Sequence, residues 1–307
     1  MSPSILSVPR HVWCHPSNRG QRLRALVRAV AWQVSKRLTG RPKDYRLPSG
    51  LCLRVHPDSA AASSVLYASG LPDHDEMRFA ADYLRPGDGF ADVGANIGSY
   101  VLFVAPLTAP SGRVVAFEPG ARAHDRLREN VALNRLEARV ELRREAASNV
   151  EGTARFSTNQ DTQNALCSDA DPAGEAVPTT RLDDALEGDF ALGKLDLEGA
   201  ECLALDGAAR RLAEANPPVW LLEMNRVALR RFGTDEERLA RQLDEAGFDL
   251  FTYDPNTRTL AAVPRPIPAE HSNLVAVARA RLDEVRARLD GRGETARVRP
   301  LHRERAG

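Results

Sequence analysis

Two groups of residues in this sequence have types and spacings that could do chemistry. The first runs Asp92-Val93-Gly94-Ala95-Asn96-Ile97-Gly98 and is followed by Glu118-Pro119. A short apolar run ends in Asp92, a turn holds the two glycines, and an apolar stretch of helical length runs from Ile97 to Leu107. The β-branched run Val114 to Phe117 then ends in Glu118. Strand, glycine turn, helix, strand and acid, in that order, make a βαβ unit suited to a nucleotide. Gly94 lets the backbone turn sharply and approach a ligand, and Gly98 lets the helix pack close to the strand. The N–H groups at the helix start can receive a carboxylate or a phosphate. Glu118 is placed to accept hydrogen bonds from two ribose hydroxyls. The second group is Asp196, Glu198 and Glu201, three carboxylates within six residues, with Glu223 at the end of the next strand. They can bind a divalent cation through oxygen, or one can act as a general base. The plainer reading of Glu201 puts it on the following helix in a surface salt bridge.

These residues need a frame to bring them together. From Phe90 to Glu223 strands alternate with helices; a helix and two strands, Asp249 to Tyr253 and Asn273 to Val277, then follow without a helix between the strands. The pattern predicts an α/β fold: a doubly wound, mostly parallel seven-stranded sheet with one antiparallel edge strand. Ligands of such sheets lie beyond the carboxyl ends of the strands. Asp92, Glu118, Asp196, Glu198 and Glu223 all fall there, which core packing does not explain. After a third strand, Val140 to Arg143, the small residues Ala146 and Ala147 leave room for a flat ring. Residues 149–178 break the rhythm and predict a short hairpin and a long loop above the strand ends, including the polar runs Ser157 to Asn164 and Asp169 to Gly174. Ahead of the first strand, a helix from Asp75 to Leu84 is stopped by Pro86-Gly87. Glu76, near its start, either faces the ligand pocket or interacts with the helix N-terminus. His74, just before it, is the best placed of the isolated histidines to serve as a base.

Residues 1–74 read as an N-terminal extension. Leu23, Leu26, Val27, Val30, Ala31, Val34 and Leu38 recur at helical spacing, flanked by Arg22, Arg24, Arg28, Lys36 and Arg37, and a short hairpin follows around Leu47 to Leu51. A basic amphipathic helix can lie on an anionic membrane surface; packing on its own domain or on a second subunit is the more frequent fate. Residues 75–279 form the ligand-binding domain, and the Arg-rich 280–307 reads as a solvated or disordered tail. The 307 residues are 43% apolar and 27% charged, ordinary for a globular protein. The 42 basic residues balance 42 acidic ones, which argues against nucleic-acid binding by bulk charge. The four cysteines lack C-x-x-C spacing. No run approaches the about 18 apolar residues of a bilayer span, and no uninterrupted signal-peptide core opens the chain. The expectation is a cytoplasmic protein with reduced thiols.

The ordered set P-G-D at 86–88, D-V-G-A-N-I-G at 92–98, F-E-P at 117–119, N-x-x-L-N at 130–134, R-L-D-D at 181–184, L-D-L-E-G-A-E at 195–201 and the strand-ending L-E at 223 resembles the FkbM-type family of S-adenosylmethionine-dependent methyltransferases. The resemblance covers about residues 75–225. It implies a Rossmann-like class I methyltransferase fold, S-adenosylmethionine as donor, and an oxygen acceptor on a sugar, glycolipid or other small molecule. It implies that Asp92 accepts from the donor's ammonium, that the backbone from Gly94 through Ala95 and Asn96 to Gly98 helps hold its methionine part, and that Glu76 adjoins it. Glu118 and Pro119 would hold the ribose, and Ala146 and Ala147 the adenine. Asp196 would point towards the transferred methyl, with Glu198, Glu201 and His74 as further catalytic candidates. Asp196, Glu198 and Glu223 would be the ligands of a divalent cation, should one take part.

Two rival readings share some of these residues. A nicotinamide-dependent dehydrogenase would use the same βαβ unit, but the turn is G-x-x-x-G rather than G-x-G-x-x-G, and no Tyr-x-x-x-Lys pair is present. A donor-binding scaffold without activity would be favoured by loss of Asp92, Gly94 or Glu118, and all three are in place.

Overall fold

The computed structural model describes residues 7–157, 166, 174–268 and 273–291. The chain opens with helices α1 (Ser7–Cys14) and α2 (Arg22–Thr39), the hairpin β1 (Lys43–Arg46) and β2 (Cys52–Val55), and helices α3 (Ala60–Tyr67) and α4 (His74–Tyr83). The α/β part follows: β3 (Phe90–Val93), α5 (Ser99–Val104), β4 (Val114–Phe117), α6 (Ala121–Leu133) and β5 (Val140–Arg143). Next come β6 (Ala146–Ala147), β7 (Gly152–Phe156), β8 (Glu175–Thr180), α7 (Leu182–Ala185), β9 (Leu192–Leu195), α8 (Glu201–Asp206) and α9 (Ala209–Ala213). The chain then runs through β10 (Val219–Glu223), α10 (Arg226–Arg231), α11 (Glu236–Glu245), β11 (Phe248–Asp254), β12 (Thr259–Ala262), β13 (Asn273–Ala278) and α12 (Leu282–Asp290).

The main sheet has the order β12-β11-β13-β10-β9-β3-β4-β5. The five strands from β10 to β5 are parallel, as alternation with helices requires. The expectation of seven strands with an antiparallel one at the edge needs two adjustments. The antiparallel strand, β13, is inserted between β10 and β11. The edge belongs to an eighth strand, β12, which the turn after Asp254 folds back along β11. Its residues Thr-Leu-Ala-Ala carry too little β-branched or apolar pattern to be read as a strand in isolation.

Side chains on a strand alternate between faces, so a sheet covered on both sides needs two cores. Phe90, Val219 and Leu221 enter one buried cluster, while Ala91, Val93, Trp220 and Leu222 enter the other. Helices α4, α5 and α12 cover the first face, and α8, α10 and α11 the second. The N-terminal segment packs into this face: Val12, Ala25, Ala29 and Trp32 belong to the same cluster as Phe79, Leu102 and Leu221. Its hairpin is tied to α6 by two asparagines of the N-x-x-L-N motif. Asn130 Oδ1 accepts from Arg54 N–H and Asn134 Oδ1 from Cys52 N–H.

The reading of everything from 280 onward as solvated tail fails for α12. Val285 and Leu289 are buried, and Arg288 pairs with Asp88 at 2.8 Å and lies over the Tyr83 ring. Two apolar residues on one face sufficed to dock a helix whose composition is otherwise charged. The rest of the tail, and the polar runs within 158–165 and 167–173, lie outside the described residues. No helix among the described residues is long and apolar enough to cross a membrane.

Candidate active site

The carboxyl ends of β3, β4, β9 and β10 enclose two adjoining pockets. The first is lined by Gly94, Asn96, Glu118, Pro119, Ala146 and Ala147, together with Phe156, Leu166, Asp196 and Glu198. The second is lined by Asp73, Glu76, Tyr100, Lys194, Asp196, Glu223 and Asn273. Asp196 lines both.

The glycine turn is built by close approach. Gly94 has φ +91°, and a Cβ there would stand 2.0 Å from the Asp196 carbonyl oxygen, so the tip of β3 lies directly against that of β9. Asn96, at φ +49°, takes a left-handed conformation that asparagine tolerates. The turn's N–H groups are less open than the sequence suggests. Gly94 and Ala95 both donate to Phe117 O, Gly98 donates to Ala95 O, and Asn96 donates to a Glu118 carboxylate oxygen at 2.9 Å. These four N–H groups are thus engaged within the turn; Gly94 and Asn96 still line the first pocket, and Ala95 and Gly98 line neither. Asn130 Nδ2 pins the turn from the other side by donating to Ile97 O at 2.9 Å.

Glu118 is held from two directions, by Asn96 N–H on one oxygen and Gly120 N–H on the other, both at 2.9 Å. Its carboxylate is thereby fixed at the pocket wall with acceptor capacity remaining on each oxygen. Burial pushes its pKa up to about 7 despite the two backbone donors. Opposite it, Ala146 and Ala147 leave a shallow wall. Phe156 closes this wall, packing with Ala146 and Leu166. Phe156 and Leu166 were not singled out in the sequence, because they come from the segment that breaks the α/β rhythm.

Around Asp196 the charges are crowded. Asp92 and Lys194 are register partners on neighbouring strands, so their side chains share one face. Asp92 is fully buried, and neither of its oxygens has a hydrogen-bond partner among the described residues. Burial raises its pKa to about 6, with Asp196 and Asp73 adding to the rise and Lys194 opposing it. Lys194 donates to Asp196 Oδ2 at 2.8 Å and lies over the Tyr100 ring. Burial disfavours its charge, but Asp196, Asp92 and Asp73 outweigh this and raise its pKa. Burial likewise raises Asp196, and Lys194 together with a hydrogen bond from Glu223 more than offsets it, leaving the carboxylate below its usual value. Its neighbour Glu223 is pushed up to about 9, by burial and then by the Asp196 charge. The two carboxyls titrate as a pair, with Glu223 the one raised and Asp196 the one lowered.

Glu198 sits at φ +51°, with Asn225 Nδ2 donating to it at 3.1 Å, and its pKa is raised to about 7 by burial and by Asp196 and Glu201. One carboxylate oxygen from each of Asp196, Glu198 and Glu223 falls within 4.8 Å of the others, a set of hard oxygen donors that a divalent cation would fit. Glu201 stands apart from this cluster. It is buried, neither on the surface nor in either pocket, and its Oε1 accepts from Leu197 N–H at 3.0 Å and Gly199 N–H at 3.2 Å. It braces the turn that presents Asp196 and Glu198. His74 also lies outside both pockets, with Nδ1 2.7 Å from an Asp75 carboxylate oxygen. Glu76 does face a pocket, the second one, where burial and the neighbouring Asp73 and Asp75 push its pKa up to about 7. Asp73 and Lys194 are the functional candidates the sequence reading passed over. An ionisable residue inside the otherwise apolar strand Leu-Gly-Lys-Leu was the signal available for Lys194.

Asp92 is a buried carboxylate without a hydrogen-bond partner among the described residues; it lines neither pocket, and the charges that act on it are those of Lys194, Asp196 and Asp73. An ionised carboxylate buried without a hydrogen-bond partner is costly, which is why its pKa is raised.

The family described as methyltransferase FkbM domain matches residues 92–250. The 31-O-demethyl-FK506 methyltransferase FkbM of Streptomyces tacrolimicus is 40% identical over 96 residues, which are 31% of this chain and 35% of that protein. The match thus spans about a third of that relative's length. Among solved structures, methyltransferase FkbM from Methylobacillus flagellatus aligns over 83% of this chain and 60% of its own, at 14% identity and a TM-score of 0.40. An S-adenosylmethionine-dependent O-methyltransferase from Thermotoga maritima aligns over 66% of this chain and 64% of its own, at 16% identity and a TM-score of 0.38.

Proposed function

The chain belongs to the FkbM methyltransferase family, and on that premise we propose that it transfers a methyl group from S-adenosylmethionine to a hydroxyl of a sugar, glycolipid or other small molecule. The position of Asp196 carries the reading: it lines both the pocket that contains Glu118 and the one that contains Glu76 and Glu223.

The donor supplies an activated methyl on a sulfonium. Glu118 accepts from the ribose hydroxyls, Ala146, Ala147 and Phe156 enclose the adenine, and Asp92 takes up the ammonium. In-line displacement requires mainly orientation, which these fixed groups supply. A hydroxyl acceptor must lose its proton as it attacks. Asp196, kept ionised by Lys194, is the group placed to receive it. Glu198 and Glu223 can join Asp196 around a divalent cation that would lower the hydroxyl's pKa.

Calorimetric titration with S-adenosylhomocysteine, followed by donor turnover on a library of hydroxyl acceptors, tests the proposal. We expect binding and, for some acceptor, a methylated product. Absence of binding at millimolar ligand would overturn the donor reading. Binding without turnover on any acceptor would favour a donor-binding protein without activity.

A further inference from the structure

Helix α2 leaves its apolar stripe uncovered. Sequence periodicity marks Leu23, Val27, Val30, Val34 and Leu38 as one face, yet the helix packs on the domain through Ala25, Ala29, Trp32 and Ser35 on the opposite side. The five stripe residues are 48–79% exposed and extend along about 22 Å of helix at 1.5 Å per residue. A continuous row of large aliphatic side chains in water marks a contact surface.

Charge selects what the contact is. The first 43 residues contain nine Lys and Arg and no Asp or Glu, although the whole chain is neutral. Arg22, Arg24 and Arg37 on α2, with Arg19 before it and Arg41 and Lys43 after it, are all exposed. At the N-terminal end of the stripe, the Arg22 guanidinium covers the half-exposed ring of Trp13. A second copy docked stripe to stripe would bring this arginine set against itself with no acid on either helix to offset it. Residues 292–307 are no better a cover, since they carry five Arg against two Glu. An apolar face rimmed by cations and free of acids complements a surface that is apolar within and anionic at its edge.

We propose that α2 docks on an anionic lipid surface, with Leu23, Val27, Val30, Val34 and Leu38 entering the acyl boundary and the flanking arginines meeting headgroup phosphates. The helix is rigidly joined to the domain. Arg28 donates to Leu66 O, Trp32 Nε1 to Ser63 Oγ, and Asn18 Nδ2 to Tyr67 O. His15 Nε2 stands 3.1 Å from Pro72 O, next to Asp73 of the second pocket. Docking would therefore orient the enzyme as well as retain it. The inference is independent of the methyl-transfer reading.

Co-sedimentation of the full chain with vesicles tests it, comparing mixed phosphatidylglycerol and phosphatidylcholine with phosphatidylcholine alone. Binding to the anionic vesicles should be stronger by about tenfold or more and should fall as salt is raised. The double variant V27E/V30E alters only exposed positions. It should lose most of the vesicle binding while S-adenosylhomocysteine affinity and the circular dichroism spectrum stay as in the parent. No vesicle binding, equal binding to both vesicle types, or binding that V27E/V30E does not weaken would each overturn the proposal. So would a parent dimer, dissociated by V27E/V30E and indifferent to vesicles, which would assign the stripe to a second copy.

Discussion

Lys194 donates a 2.8 Å hydrogen bond to Asp196 while standing in register with Asp92 on the neighbouring strand. One buried ammonium thus favours the ionised form of several carboxylates, Asp196 foremost. Lys194→Met would leave those charges uncompensated, and breaking a buried pair from one side costs about 3–5 kcal/mol. Without Lys194 the Asp196 pKa should rise, moving the acidic limb of the turnover profile to higher pH. Denaturant unfolding and a pH–rate profile of the variant check both parts. A destabilised variant with an unmoved limb would mean that a different group takes the acceptor's proton.

Glu118→Ala should weaken S-adenosylhomocysteine binding by about 1–3 kcal/mol, the cost of leaving charged hydrogen-bond partners unmet. Since Glu118 also accepts from Asn96 and Gly120 N–H, some loss of thermal stability should accompany it. Titration calorimetry reads the first effect and a melting curve the second. A variant that melts early yet binds the nucleoside as before would reduce Glu118 to a brace for the turn.

Glu201→Gln keeps one acceptor for Leu197 and Gly199 N–H, and Glu201→Ala removes both. If bracing is the role, Gln should retain most of the turnover and Ala should lose it, with donor affinity falling less than turnover. Steady-state kinetics of the two variants decide the matter. Equal loss in both would return Glu201 to the reacting groups.

The parts of this site that were legible in the sequence are those encoded in short, contiguous patterns. The glycine turn with Asp92, the acid ending β4, and the D-L-E-G-A-E stretch each place their own residues, because a strand end followed by a tight turn leaves few conformations. The alternation of strands and helices fixed the parallel part of the sheet for the same reason. What stayed hidden depends on distant segments meeting. Phe156 and Leu166 wall the first pocket from a segment without rhythm. Asp73 enters the second pocket from the loop before α4. The bracing use of the turn's N–H groups required knowing that Phe117 O lies beside them. For α2 the sequence left a membrane surface, the chain's own domain and a second subunit all open as the cover of its apolar face, and the structure leaves that face exposed. Periodicity finds an apolar face but does not say whether this chain covers it.

Protonation should make the ligand-free protein less stable in mild alkali than in mild acid. Glu118 and Glu76 are each pushed up to about 7 from 4.5, and Asp92 to about 6 from 3.8. Between the unfolded and folded values the native state holds more protons than the unfolded chain, so stability falls as pH rises through that window. A rise of two to three pKa units in one buried group is worth about 3 kcal/mol. Melting temperatures measured from pH 5 to pH 8 should decline, and S-adenosylhomocysteine should flatten the slope by supplying a cation to Asp92 and hydroxyl donors to Glu118. A profile that rises with pH in the free protein would contradict this assignment of charges.

The carboxylate trio predicts how a divalent cation would behave. Asp196, Glu198 and Glu223 can each offer one oxygen within 4.8 Å of the others, but burial and the Asp196 charge push the Glu223 pKa up to about 9 and so favour its protonated form. A cation must displace that proton, so its affinity should increase with pH and its binding should release protons. Titration of Mg²⁺ or Ca²⁺ in buffers of different ionisation enthalpy would expose that release directly. Glu223→Gln should abolish the cation's effect while leaving S-adenosylhomocysteine binding in place, since Glu223 does not line the first pocket. With an active acceptor in hand, a chelator should stop turnover of the parent and added Mg²⁺ should restore it. Turnover that ignores the chelator, together with flat calorimetric traces, would leave Asp196 acting as a base without metal and would make Glu223 the partner that stores its proton.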